Sequence, residues 1–325
     1  MKIANIDFGH RPVFLAPMED ITDIAFRALC KHFGADMMYT EFIASDALIR
    51  DIAKTRMKAV FHEEERPIGI QLYGHMVEPM IEAARIATQY NPDLIDINYG
   101  CPVRKIAMRG AGSGMLRDLP KMEAMTRGIV GATHLPVTAK TRLGWDPESK
   151  NIIHVAEMLQ DCGIQALTIH GRTRSQLYTG VADWTLIGEV KNNARMHIPI
   201  IGNGDIDSPE KAKQMFDSYG VDAIMIGRAV VGRPWIFSEV KHYLTTGEIL
   251  PSPSISERVQ VARLHLAEVL KIRNEKSAIL GMRRHFVGYF KGLPNFKDFK
   301  IRLLTSLDLD DISHILDEIS ENKFG

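Results

Sequence analysis

Short, nearly all-apolar runs alternate with amphipathic stretches of helical period along most of this chain. The runs fall at residues 13–17, 37–41, 68–72, 94–98, 137–140, 166–170, 200–202 and 223–226. Between them the apolar positions recur at the spacing of a helix face, as over 22–33, 79–89, 152–161 and 209–219. Ser208-Pro209 supplies an N-cap followed by a first-turn proline, and Gly34, Gly163 and Gly220 stand where helices should stop. Strands apolar on both faces, each followed by a helix, belong to a parallel sheet covered by helices. Eight such units over residues 1–245 predict an α/β fold, a (β/α)8 TIM barrel. The doubly wound alternative lacks the GxGxxG turn it would need after the first strand.

The texture changes at Pro251-Ser-Pro-Ser, after which no strand pattern returns. Helices are predicted over 257–273, 278–289 and 310–321, so residues 250–325 read as a small C-terminal helical domain. Charge refines this picture. The chain carries 40 Lys+Arg against 40 Asp+Glu, yet 258–302 holds eleven bases and three acids. The neutral total therefore conceals a basic helical module, which suits a polyanion. Three cysteines make no disulfide framework, and there is no apolar run of membrane-spanning length. With no signal-peptide pattern at Met1, the expectation is a soluble cytoplasmic protein, a monomer with no membrane and no obligate protein partner.

In such a barrel, chemistry gathers where strands end. Here the endings are Pro17-Met18-Glu19, Glu41, Gln71, Asn98 with Cys101, Lys140 with Arg142, His170, Asn203-Gly204-Asp205, and Gly227-Arg228. That many polar endings at one mouth favour an enzyme over a scaffold. The loops after strands seven and eight are the usual phosphate corner, so Gly202-Asn-Gly and Gly227-Arg228 predict a phosphorylated cofactor or substrate. Cys101, between Gly100 and Pro102 on a loop, is placed as a chemical group, whereas Cys30 and Cys162 sit in helical patterns as core. On position alone, Lys140 could equally be a Schiff-base lysine of an aldolase barrel.

These residues carry a family likeness. Ala16-Pro-Met-Glu-Asp-Ile-Thr-Asp, Asp96-Ile-Asn-Tyr-Gly-Cys-Pro-Val, Gly112-Ser-Gly-Met-Leu, Thr168-Ile-His-Gly-Arg-Thr-Arg and Gly202-Asn-Gly-Asp resemble the tRNA-dihydrouridine synthases, nearest the bacterial B-type branch. Met225-Ile-Gly-Arg-Ala and Gly232-Arg-Pro-Trp-Ile-Phe extend the match. Tyr99 and Gly114-Met115 depart from the commoner family residues without touching a catalytic role. The resemblance implies an FMN enzyme that reduces tRNA uridines, in the D-loop, to 5,6-dihydrouridine with NADPH or NADH. It implies Cys101 as the proton donor, with no metal. Pro17, Met18, Glu19, Gln71, Lys140, His170, Asn203, Gly204, Asp205, Gly227 and Arg228 would then hold the flavin. Asn98 and Arg142 would face the uridine, and Arg104, Lys105, Arg109, Arg172, Arg174, Arg283 and Arg284 the RNA backbone. The competing readings are another FMN barrel of the ene or dihydroorotate type, and a tRNA-binding protein without catalysis.

Overall fold

A computed structural model of the protein describes residues 1–322. Eight parallel strands form the central sheet: β1 (Val13–Leu15), β2 (Met38–Tyr39), β3 (Ile68–Tyr73), β4 (Leu94–Asn98), β5 (Val137–Arg142), β6 (Leu167–His170), β7 (Ile200–Asn203) and β8 (Ala223–Ile226). From β2 onward each pairs with the next in chain order, and β8 returns to β1 with Ile224 opposite Val13. A Phe14–Met37 bridge joins β1 to the approach of β2, so the sheet closes into the expected TIM barrel. Two short pieces have no counterpart in the apolar pattern. One is a hairpin, Lys2–Ile3 with Ile6–Asp7; the other, Ile43–Ala44, pairs with the end of β3.

Side chains alternate in and out along each strand, and the inward set changes character along the barrel. At its lower end Phe14, Tyr39, Leu94, Ala166, Ile201 and Ala223 form an apolar plug, each 1% exposed or less. Gly69 is required there, because a Cβ would lie 2.5 Å from Leu94 Cδ1. One layer up, Gln71, Asp96 and Thr138 stand in register on β3, β4 and β5. At the carboxyl ends come Asn98 with Lys140, and His170 with Asn203, each pair in register, while Arg142 is the register partner of His170. Polarity therefore rises toward the mouth. Helix boundaries follow the local chemistry: Ser208 caps Pro209–Tyr219 and Gly220 ends it at φ 65°.

The C-terminal residues form four helices: Ile255–Ile272, Glu275–Tyr289, Lys297–Thr305 and Leu309–Glu321. The third departs from the three expected. It is nine residues long and fully buries only Leu303, so its apolar stripe is too thin to read in sequence. These helices enclose their own core, which reaches Ala25 and Trp235 on the barrel side. The join is tight. Asp23 pairs with Arg273 at 2.7 Å, and Phe26 packs at a tilt against His265 and His285 with centroids 5.2 and 4.6 Å apart. At Gly232 a Cβ would sit 2.3 Å from Gly288 Cα, so two backbones touch where the loop after β8 meets the second helix.

The module is less free in charge than its sequence implied. Arg263 pairs with Asp317, Arg302 with Glu318, Lys271 with Glu268 and Arg273 with Asp23. Arg258 and Arg284 donate to the carbonyls of Pro253 and Asp20, and Arg283 lies against those of Thr305 and Ser306. Among the described residues Lys276, Lys291, Lys297 and Lys300 form no ion pair.

Candidate active site

A cavity of about 1100 Å³ opens at the carboxyl ends of the strands. The thiol loop forms one wall. Asn98 ends β4, and its Oδ1 accepts the N–H groups of Gly100 at 3.0 Å and Cys101 at 2.9 Å. From below, Ser113 Oγ donates to the Cys101 carbonyl at 2.7 Å and its N–H does so at 3.2 Å. The Gly112 turn (φ 55°) packs against Cys101 so closely that a Cβ there would lie 3.0 Å from Cys101 Cβ. Cys101 is 8% exposed, and burial pushes its thiol up, so it keeps its proton at neutral pH. Cys30 and Cys162 are buried and free, as core residues should be.

The floor is cationic. Lys140 Nζ donates to Asn203 Oδ1 at 3.1 Å, and Asn203 Nδ2 donates to the Met225 carbonyl at 2.7 Å. Burial first, then Arg142, lowers the Lys140 ammonium to about 8. Arg142 is itself lowered to about 10 by burial, with Arg172 and Arg228 adding to it. His170 is held well below its ordinary range by burial and by four nearby cations, Arg142, Lys140, Arg172 and Arg228, so it stays neutral. Asp205 answers this charge directly, accepting from Arg172 at 2.7 Å and Arg228 at 2.8 Å, and Glu19, Asp46 and Asp207 also line the cavity against Lys105, Arg109, Lys140, Arg142, Arg228 and Lys291. The surplus makes the cavity a receptor for an anion.

Most of the residues expected at the mouth do line this cavity: Pro17, Met18, Glu19, Asn98, Cys101, Lys105, Arg109, Lys140, Arg142, His170, Asn203, Gly204, Asp205, Gly227 and Arg228. Glu19 is paired with Lys58. Others stand elsewhere. Gln71 is fully buried in the layer beneath the mouth, its amide held between Asp96 and Asn98. Arg172, expected on the RNA face, is 1% exposed: Asp205 and the carbonyls of Thr179 and Gly180 bind its guanidinium inside the wall. In that position the charge braces the loop from Thr179 to Gly180 against Asp205. Arg174 stacks on Trp145 at 4.6 Å, and Arg104, Arg283 and Arg284 stay off the cavity lining.

Three further residues contribute. Tyr178 stands at the mouth with two guanidinium groups near its ring centroid, Arg142 at 5.5 Å and Arg228 at 5.1 Å, and is half exposed. Lys291 reaches the cavity from the helical module. Tyr178 is a single residue outside any motif; Lys291 is one of the eleven bases of the 258–302 stretch, and only the fold brings it to the cavity. The third, Ser113, falls within the Gly112-Ser-Gly motif, and its neighbours are the signal that could have marked it.

Comparison with known proteins bears on all of these elements together. The tRNA-dihydrouridine synthase B of Pseudomonas aeruginosa is 40% identical over 298 residues, covering 92% of this chain and 89% of that protein. The protein of the same name from Xanthomonas campestris pv. campestris is 42% identical over 288 residues, covering 89% and 86%. Among solved structures, histamine dehydrogenase from Rhizobium sp. 4-9 superposes with a TM-score of 0.55 over 79% of this chain at 12% identity. This chain spans about half of that one (49%), and at such low identity the likeness shows the barrel fold alone. The family model described as dihydrouridine synthase (Dus) matches residues 14–322, thiol loop, cationic floor and helical module alike, and the chain belongs to the dihydrouridine synthase family.

Proposed function

We propose that this protein binds FMN in the barrel mouth and, with NADPH as reductant, converts a D-loop uridine of tRNA to 5,6-dihydrouridine. The observation that carries the reading is a protonated thiol held by its backbone over a cationic floor. The donor set fits the group: Lys140, Arg142 and Arg228 suit an anionic ring system and its phosphate. Asn203, Lys140 and neutral His170 would hold the ring, and the loops carrying Gly204, Gly227 and Arg228 the phosphate. When bound, the flavin supplies a hydride, which no side chain can. Cys101 delivers the proton to the neighbouring carbon of the uracil from Sγ, and Arg142 and Asn98 orient the base. Tyr178 offers an aromatic face for it at the mouth.

The target base lies in folded RNA and must swing out to enter a cavity of this depth, which requires grip on the flanking phosphates. Lys105, Arg109 and Lys291 line the entrance, and among the described residues Lys276, Lys297 and Lys300 of the module form no ion pair. They replace Arg172 in this role.

Two outcomes test the reading. Purified protein reconstituted with FMN is expected to retain one flavin per chain, seen as its visible absorption; a colourless protein would sink the proposal. Replacing Lys276, Lys291, Lys297 and Lys300 by Ala is expected to lower the slope of log K against log salt for tRNA. Each phosphate that a lysine no longer neutralises reduces the slope by about one unit. An unchanged slope would place the RNA on the barrel loops alone. Substitution is the better probe than deletion, because removing the module would bare Ala25, Phe26 and Trp235.

A further inference from the structure

Asp96 is a buried carboxylate to which the mechanism above gives no part. It stands mid-way along β4 at 1% exposure, with Gln71 and Thr138 as its register partners on either side. Thr138 Oγ1 donates to Asp96 Oδ1 at 2.6 Å, and Gln71 Nε2 donates to Oδ2 at 2.6 Å. Gln71 Oε1 accepts from Asn98 Nδ2 at 2.8 Å. Asn98 Oδ1 then receives the N–H groups of Gly100 and Cys101. The links run in one direction for a chemical reason. Burial raises the Asp96 carboxyl to about 6, so at neutral pH it is ionised and only accepts, and Gln71 can face it only with its NH2. That turns the Gln71 oxygen toward Asn98, which must answer with its own NH2. The oxygen left over is the one that holds the thiol loop.

We propose that Asp96 is the positioning residue of Cys101, setting the sense of a relay through Gln71 and Asn98 that fixes the Gly100–Cys101 backbone. A rival account is available, because the charge of Asp96 also favours protonated Lys140. The two separate by substitution. Asp96→Leu removes the acceptor. Asp96→Asn keeps one, since its oxygen can face Gln71 while its NH2 meets the Thr138 hydroxyl, which accepts as well as donates.

The first readout is the rate at which iodoacetamide alkylates Cys101 in the purified protein, followed by peptide mass mapping. The second is kcat and KM on tRNA from cells lacking dihydrouridine, and this activity arm alone rests on the function proposed above. Asp96→Leu is expected to speed alkylation about fivefold or more, because the loop opens more often. It is expected to lower kcat about tenfold to a hundredfold, with KM for tRNA within about twofold, because the thiol is misplaced and RNA binding is not. Asp96→Asn should return both to within about threefold of the unsubstituted protein. A folded Asp96→Leu with unchanged alkylation overturns the proposal. So does Asp96→Asn that matches Asp96→Leu, which would assign the effect to charge on Lys140. Where Asp96→Leu does not fold, Gln71→Met cuts the same relay one link later, and unchanged alkylation there is equally fatal. Shifted alkylation in a protein that makes no dihydrouridine would leave this inference standing and remove the functional one.

Discussion

Cys101→Ala is expected to leave flavin content and NADPH consumption near those of the unsubstituted protein while dihydrouridine formation falls by about 10²–10⁴. The size follows from the role: a positioned general acid contributes that much, and Ala carries no proton. The selectivity follows from the loop. Its anchors are backbone groups, the N–H of Gly100 and Cys101 on Asn98 and the Cys101 carbonyl on Ser113, so deleting one sulfur leaves them in place. Product formation is measured on tRNA lacking dihydrouridine, and NADPH loss by its absorbance without tRNA. Parallel loss of both activities would make Cys101 a structural residue and return the proton to another donor.

The largest effect on stability is expected at Arg27→Met. Arg27 lies on the helix Ile24–His32, the element that carries the barrel into contact with the C-terminal module. Its Nε donates to Glu65 Oε2 at 2.6 Å, and its other nitrogens donate to the carbonyls of Thr22 at 3.0 Å and Val60 at 3.1 Å. The two side chains are 2% and 0% exposed. Met matches much of the length but leaves the Glu65 charge in the interior with only the His62 N–H, at 2.7 Å. Breaking a buried pair in this way costs about 3–5 kcal/mol, to be read from urea unfolding, and replacing both partners by Met should recover most of it. A loss under about 1 kcal/mol would mean that water reaches Glu65 when its partner is gone.

The parts of this protein legible in its sequence are those governed by local periodicity and by chemistry confined to one segment. Alternation of apolar runs and helical stretches is enough for the eight-stranded barrel, because a strand buried on both faces has no other stable place than a covered parallel sheet. Bounds match to the residue for β4 and β8 and for the helices Ile152–Asp161 and Pro209–Tyr219. The Gly-Cys-Pro turn announces a presented thiol for the same reason: turn geometry is written in adjacent residues.

What the sequence left open depends on which side chains meet across the barrel. Arg172 and Arg228 look alike as strand-end arginines, yet one is sealed against Asp205 and the other opens into the cavity. The surplus of bases in 258–302 shrinks because acids from the last helix, and Asp23 from the barrel, fold back onto it. Gln71 reads as a flavin ligand from its position at a strand end, and only strand register turns it toward Asp96 and Asn98. Tyr178 reaches the mouth from a loop with no pattern to mark it, and Lys291, one base of the 258–302 stretch, reaches it from the turn after the distant helix Glu275–Tyr289. Periodicity decides which residues point inward; pairing between those residues is decided by register and packing, over separations that no local pattern spans.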